Sequence, residues 1–162
     1  MNQFTKYEYK ILVIIFTILF VITGFNISLS LRRGRDSIRK NDISAVTTAL
    51  DTYYQKYRIY PISTNDNLII GCFEAEVVRD IKTGYPTNAI TCKWGESYFE
   101  SVNLMPRDPS YKKGVNYSYI SDGKKFEFYI SLEGKDESEY TPAIASKNLQ
   151  CGTKICNYGR SN

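Results

Sequence analysis

A chain of 162 residues has room for one small domain and an anchor, because residues committed to a membrane cannot also build a globular core. The absence of any His removes the commonest general base and the usual imidazole metal ligand, which excludes much enzymology. The formal net charge is +4, and its densest basic group lies between Arg32 and Lys40. Fourteen tyrosines, each an apolar body with a polar tip, suit a head with half-exposed, adhesive surfaces.

Residues 1–10 read as a short N-terminal segment and 11–31 as a transmembrane helix. From Ile11 to Leu31 no residue is charged, and the run ILVIIFTILFVI is apolar almost throughout. A helix needs about 20 such residues to cross the hydrocarbon core. Thr23, Gly24, Asn26, Ser28 and Ser30 make the second half more polar. A cleaved secretory signal is the competing reading, with Ser28-Leu29-Ser30 as a small-x-small site, but the bulky Leu29 and Leu31 crowd it.

Residues 32–60 read as an amphipathic continuation of that helix. Ile43, Val46, Leu50, Tyr53 or Tyr54, and Tyr57 recur at helical steps, with Ala45 and Ala49 beside the stripe. Gly34 is its weak point, and Pro61 stops it because the residue before a proline is pushed out of the α region. Residues 61–162 form the head. The stretch from Ile62 to Met105 is rich in turn formers, and its strands are not resolved by pattern. Val115–Ser121 and Lys125–Leu132 read as a β-hairpin around Ser121-Asp122-Gly123-Lys124. Phe126, Phe128, Ile130 and Leu132 alternate with Glu127, Tyr129 and Ser131, so the first set packs and the second meets water. The expected class is α+β, a long N-terminal helix packed on a small antiparallel sheet.

Cys72, Cys92, Cys151 and Cys156 form an even set that suits an oxidising compartment and two disulfides, with connectivity open. Each is worth about 2 to 3 kcal/mol if the pairs are sequential. A four-thiolate zinc site or redox centre competes, but no zinc-finger spacing and no C-x-x-C occurs. The cysteines place the head outside the cytoplasm on a single-pass membrane protein, at the cell surface in one version. Arg32, Arg33, Arg35, Arg39 and Lys40 after the span pull the other way under the positive-inside rule.

The segments RDSIRKNDISAVTTALDTYYQKYRIYP, from Arg35 to Pro61, and MPRDPSYKKGVNYSYISDGKKFEFYISLEGKD, from Met105 to Asp136, carry a resemblance to type IV pilins and more closely to major pseudopilins of type II secretion systems. Tyr60-Pro61 stands where that family's long helix gives way to the head. Pro106, Asp108 and Pro109 match its Pro-x-Asp-Pro element before the antiparallel strands. The resemblance implies a non-enzymatic filament subunit that associates with itself or with other pilin-like subunits. The chain departs from the family in lacking a Gly before its apolar run and in placing Glu8 ahead of that run. This departure supports the alternative, a permanently tethered extracytoplasmic binding protein, either an adhesin or a DNA receptor, that does not polymerise.

Some pseudopilins hold calcium after their last strands, and the corresponding carboxylates here are Glu133, Asp136, Glu137 and Glu139; a solvated acidic turn explains them equally. The basic group from Arg32 to Lys40 is expected to meet lipid headgroups or neighbouring helices, with nucleic acid as the weaker reading. No nucleophile paired with a base, no phosphate-cradling loop and no catalytic carboxylate pair is legible, so no cofactor and no small-molecule substrate are expected.

Overall fold

The computed structural model describes residues 6–74, 76–100, 102 and 104–162. The chain divides into two compact units, one ending at Arg35 and one covering Asp36–Asn162, and a single helix, α1 (Lys6–Tyr57), contributes to both. Among the described residues it already includes the segment before Ile11, where Tyr7, Glu8, Tyr9 and Lys10 contain no helix breaker.

In the first unit the side chains of Ile11–Phe16, Ile18–Ile22 and Phe25 are all exposed, and α1 is long and apolar enough to cross a membrane. Its polar residues satisfy themselves within the helix. The hydroxyls of Thr17, Thr23 and Ser28 donate to the carbonyls of Val13, Leu19 and Gly24 at 2.8, 2.7 and 3.1 Å. Back-bonding of this kind leaves those hydroxyls with no demand on surrounding solvent, so the more polar second half remains compatible with hydrocarbon.

In the second unit α1 buries Ile43, Val46, Ala49, Leu50, Tyr53 and Tyr57, while Ala45 turns outward. The helix ends where Arg58 takes a left-handed φ of 60° and its amide donates to the Tyr54 carbonyl at 2.7 Å. Tyr60 then stacks on Tyr54 and tilts against Phe126, with ring centroids 4.6 and 4.9 Å apart. Its amide donates to the Gly123 carbonyl at 2.8 Å, and the Tyr119 hydroxyl donates to the Pro61 carbonyl at 2.7 Å. The Tyr-Pro step therefore fastens the helix end to the hairpin turn.

The first sheet is small and antiparallel in the order β1 (Ile62–Ser63), β2 (Ile69–Cys72), β3 (Ile90–Thr91). A disulfide between Cys72 and Cys92 closes it, and Ile69, Phe99 and Met105 join the core from this region. The predicted hairpin follows as β4 (Ser118–Ser121) and β5 (Phe126–Ile130), with Tyr119 opposite Phe128 and Ser121 opposite Phe126. Phe126, Phe128, Ile130 and Leu132 are buried as their alternation required.

The other face of the hairpin is not open to water throughout. After β5 come the short helix α2 (Pro142–Ala145) and a tight hairpin, β6 (Gln150–Cys151) and β7 (Lys154–Ile155), closed by the Cys151–Cys156 disulfide. Then β8 (Tyr158–Ser161) returns antiparallel along the free edge of β5, giving the order β4-β5-β8. Tyr129 is buried against both tail cysteines, and Ser131 is buried while donating to the Ile155 carbonyl at 2.9 Å. A side chain at position 159 would collide with the Tyr129 ring, so Gly159 is what lets β8 pass. The second unit is thus built as α+β, with the helix stripe and the Phe-rich sheet face enclosing one core.

Candidate functional site

Arg39 and Asp36 sit one helical turn apart on α1, and both are fully buried where the helix enters the second unit. The Arg39 guanidinium fills all five of its donor positions. Nε donates to Asp108 Oδ2 at 2.7 Å and Nη2 to Asp108 Oδ1 at 2.9 Å, a two-pronged pairing with the Pro-x-Asp-Pro element. Nη1 donates to Asp36 Oδ1 at 2.8 Å and to Glu133 Oε1 at 2.9 Å, and Nη2 also reaches Ser110 Oγ at 3.2 Å. Burial alone would lower the Arg39 pKa, but the hydrogen bond and charge of Asp108, together with Glu133 and Asp36, outweigh it and raise it above the ordinary value.

Asp36 has a second task. Its Oδ1 and Oδ2 accept the backbone N–H groups of Glu133 and Gly134, each at 2.9 Å, so the segment leaving β5 is hung on the helix by its own main chain. Asp108 Oδ1 similarly accepts the Ser110 amide at 2.6 Å. Two segments remote in sequence are thus fixed to one turn of α1.

Lys40 extends this arrangement outward, donating to Glu137 at 2.9 Å and to Glu139 at 3.3 Å. Its pKa is raised, first by the Glu137 hydrogen bond, and that of Glu139 is lowered, first by the Ser138 hydroxyl. One turn beyond Arg39 along α1, Asp42 accepts a short hydrogen bond from the hydroxyl of Tyr117, the residue just before β4. Burial raises the Asp42 pKa against the lowering effect of Tyr117, and burial with the Asp42 charge raises that of Tyr117.

These contacts redistribute the residues singled out by sequence. Glu133, Glu137 and Glu139 spend their carboxylates on Arg39 and Lys40, and Asp136 is exposed beside them. Among the described residues no group of three potential ligands is gathered for a metal. A guanidinium and an ammonium from α1 meet the carboxylates of this acidic segment.

The basic group divides as well. Arg32, Arg33 and Arg35 belong to the first unit, whereas Arg39 is buried in the second, and Lys40 is tied to it. Arg39 does not present a surface to lipid or nucleic acid. Tyr60, Pro61 and Asp108 are structural fasteners; Pro109 follows Asp108 in the turn that the Tyr111 amide closes on the Asp108 carbonyl at 2.9 Å, and Pro106 lies two residues before Asp108. Asp36, Asp42, Ser110 and Tyr117 escape a reading of the sequence as partners; the three-residue spacing of Asp36 and Arg39 is the available signal.

Beside the Arg39 cluster lies a cleft of about 580 Å³, lined by Val115, Leu132, Ala145, Ile155 and Tyr140, among others. Its size falls in the range of sites that accept small ligands or inserted side chains. Comparison with protein families, with curated proteins and with solved structures finds no match for this chain.

Proposed function

We propose that this protein is a non-enzymatic, pilin-like or pseudopilin-like subunit of a membrane-anchored filament system, of the type IV pilus or type II secretion kind, with its head outside the cytoplasm. One observation carries the reading. A single helix supplies both an unburied apolar segment and, without interruption, the central element of a disulfide-closed head. A subunit that stores itself in a bilayer and then packs helix against helix needs that continuity.

The Arg39 cluster fits the mechanical demand of such a subunit. Force applied along α1 would pass into the sheet through Asp36, Arg39 and Asp108 at one end and through Tyr60 and Pro61 at the other. The two disulfides favour an oxidising compartment over the cytoplasm. Membrane lipid and further copies of the chain are the partners, and no substrate chemistry is assigned to the head.

A tethered binding protein is the second reading, favoured by Glu8, which lies outside the apolar run. Intact-mass spectrometry on membrane-extracted protein, with and without reduction, separates the two. Loss of the first residues with a methylated new terminus supports the processed filament subunit. A full-length mass that rises by about four daltons on reduction supports the tether. Free thiols throughout would overturn the extracytoplasmic assignment.

A further inference from the structure

Residues Val78–Thr87 form a finger braced mainly by its own hydrogen bonds, with Asn88 at its base accepting the Val78 amide at 2.9 Å. The Asp80 amide donates to Tyr85 and the Thr87 amide to Val78, both at 2.9 Å, and Arg79 pairs with Pro86 as an antiparallel bridge. The Asp80 carboxylate accepts the amides of Lys82 and Thr83 and the Thr83 hydroxyl, which fixes the tip. On this rigid support Ile81 is fully exposed, and Val78 and Tyr85 are exposed beside it. The turn thus presents three exposed apolar side chains, Val78, Ile81 and Tyr85, within eight residues.

The cleft next to Arg39 is a receptor of matching chemistry. Val115, Leu132, Ala145 and Ile155 give it apolar walls. Lys113, Lys135 and Lys154 line it with exposed side chains, and among the described residues none of the three has an ion pair. The carboxylates near it are engaged by Arg39 and Lys40, so the uncommitted charges it offers an incoming segment are ammonium groups. At the base of the finger Glu74 and Glu76 are exposed and equally unpaired among the described residues, while Asp80 and Lys82 cancel at its tip.

The two features stand at opposite ends of the head. The Arg79 guanidinium lies 5.0 Å above the Tyr57 ring at the end of α1, whereas Arg39 lines the cleft, and the rise of α1 from Arg39 to Tyr57 is about 27 Å. A finger cannot reach the cleft of its own chain. We propose that the Ile81 finger of one copy docks in the Val115–Ile155 cleft of a second copy, with Glu74 and Glu76 facing its lysines. Copies anchored parallel in one membrane cannot pair finger and cleft reciprocally as an antiparallel dimer would, so the contact is heterologous and leaves a finger and a cleft free for further copies. The inference rests on the filament reading above and names the contact through which heads would join.

Bis-maleimide cross-linking tests it on the full chain in membranes. The four native cysteines are all in disulfides, so introduced thiols report alone. A variant carrying Ile81→Cys and Ala145→Cys is expected to give a ladder of multimers with a reagent spanning about one nanometre, too short for the intrachain distance. Co-expressed single variants are expected to stop at dimers. Benzoylphenylalanine placed at Phe20 reports packing between apolar helices separately. Multimers from Phe20 without a ladder from positions 81 and 145 would overturn the docking and leave the filament reading standing. Absence of both would overturn both.

Discussion

Arg39 and Asp108 meet through two nearly parallel bonds, 2.7 and 2.9 Å long, with neither side chain reaching solvent. The pair joins a helix to a loop that lies 69 residues further along the chain. Burying two charges is costly, and a pair of this kind breaks roughly even against an apolar replacement. Its value lies in what removal of one member leaves behind.

Arg39→Ala should therefore destabilise the head by about 3–5 kcal/mol, because Asp36 and Asp108 would remain buried without their cation. Arg39→Lys is expected to recover little of this, since a single ammonium cannot serve the paired oxygens of Asp108 together with Asp36 and Glu133. Denaturant unfolding followed by Trp94 fluorescence measures both. A loss under about 1 kcal/mol for the alanine variant would show that the cluster relaxes or admits water.

The disulfides should contribute unequally. Cys72 and Cys92 close a separation of 20 residues and Cys151 and Cys156 one of 5, so chain entropy gives about 3 kcal/mol for the first and about 2 for the second. Replacing each pair by serine and comparing unfolding midpoints checks the order. The reverse order would indicate that the tail disulfide acts mainly through the packing of Tyr129 and β8.

Asp42 should make stability fall as pH rises through its titration. Its pKa is raised in the folded state, so the folded chain holds this proton more firmly than the unfolded chain does, and that advantage disappears once both are ionised. Asp42→Asn keeps an acceptor for the Tyr117 hydroxyl without the charge. The variant's melting temperature, compared with the parent's from pH 3 to 8, should gain steadily above the ordinary carboxylate range and then level off. A constant difference across that range would rule out Asp42 as the source.

The helix stripe, the Phe-rich strand and the hairpin turn were legible because each expresses a period or a turn preference within a short window. Ile43, Val46 and Leu50 announce a helix face, and Asp122-Gly123 a turn, without reference to anything distant. The position of β8 was not legible. Tyr158–Ser161 is short, contains Gly and Arg, and becomes a strand only because β5 offers it an edge. The same limit explains the acidic run after β5. Glu133, Glu137 and Glu139 look like ligands awaiting a cation, and the cations that meet them lie nearly a hundred residues earlier in the chain. Local pattern also assigns Arg39 to a flanking basic group, since nothing near it announces that Asp108 will fold back onto it.

Lys40 offers the sharpest contrast with its neighbour, because its pairs with Glu137 and Glu139 are only partly shielded. Lys40→Met should cost only about 0.2–1 kcal/mol at neutral pH and low salt. The Lys40 pKa is raised above 10.5, so its contribution is complete below that value and is lost as pH climbs through the folded pKa. The Glu139 pKa is lowered from 4.5, so its contribution is present above that value and is lost on acidification through the folded pKa. The difference between parent and variant should accordingly form a plateau between those limits and shrink in 1 M salt, where charges are screened beyond about 3 Å. The Arg39→Ala loss should persist in the same salt, because its partners are buried from solvent ions. Equal salt sensitivity of the two variants would mean that solvent reaches Arg39 and that the cluster is not the sealed junction between helix and head.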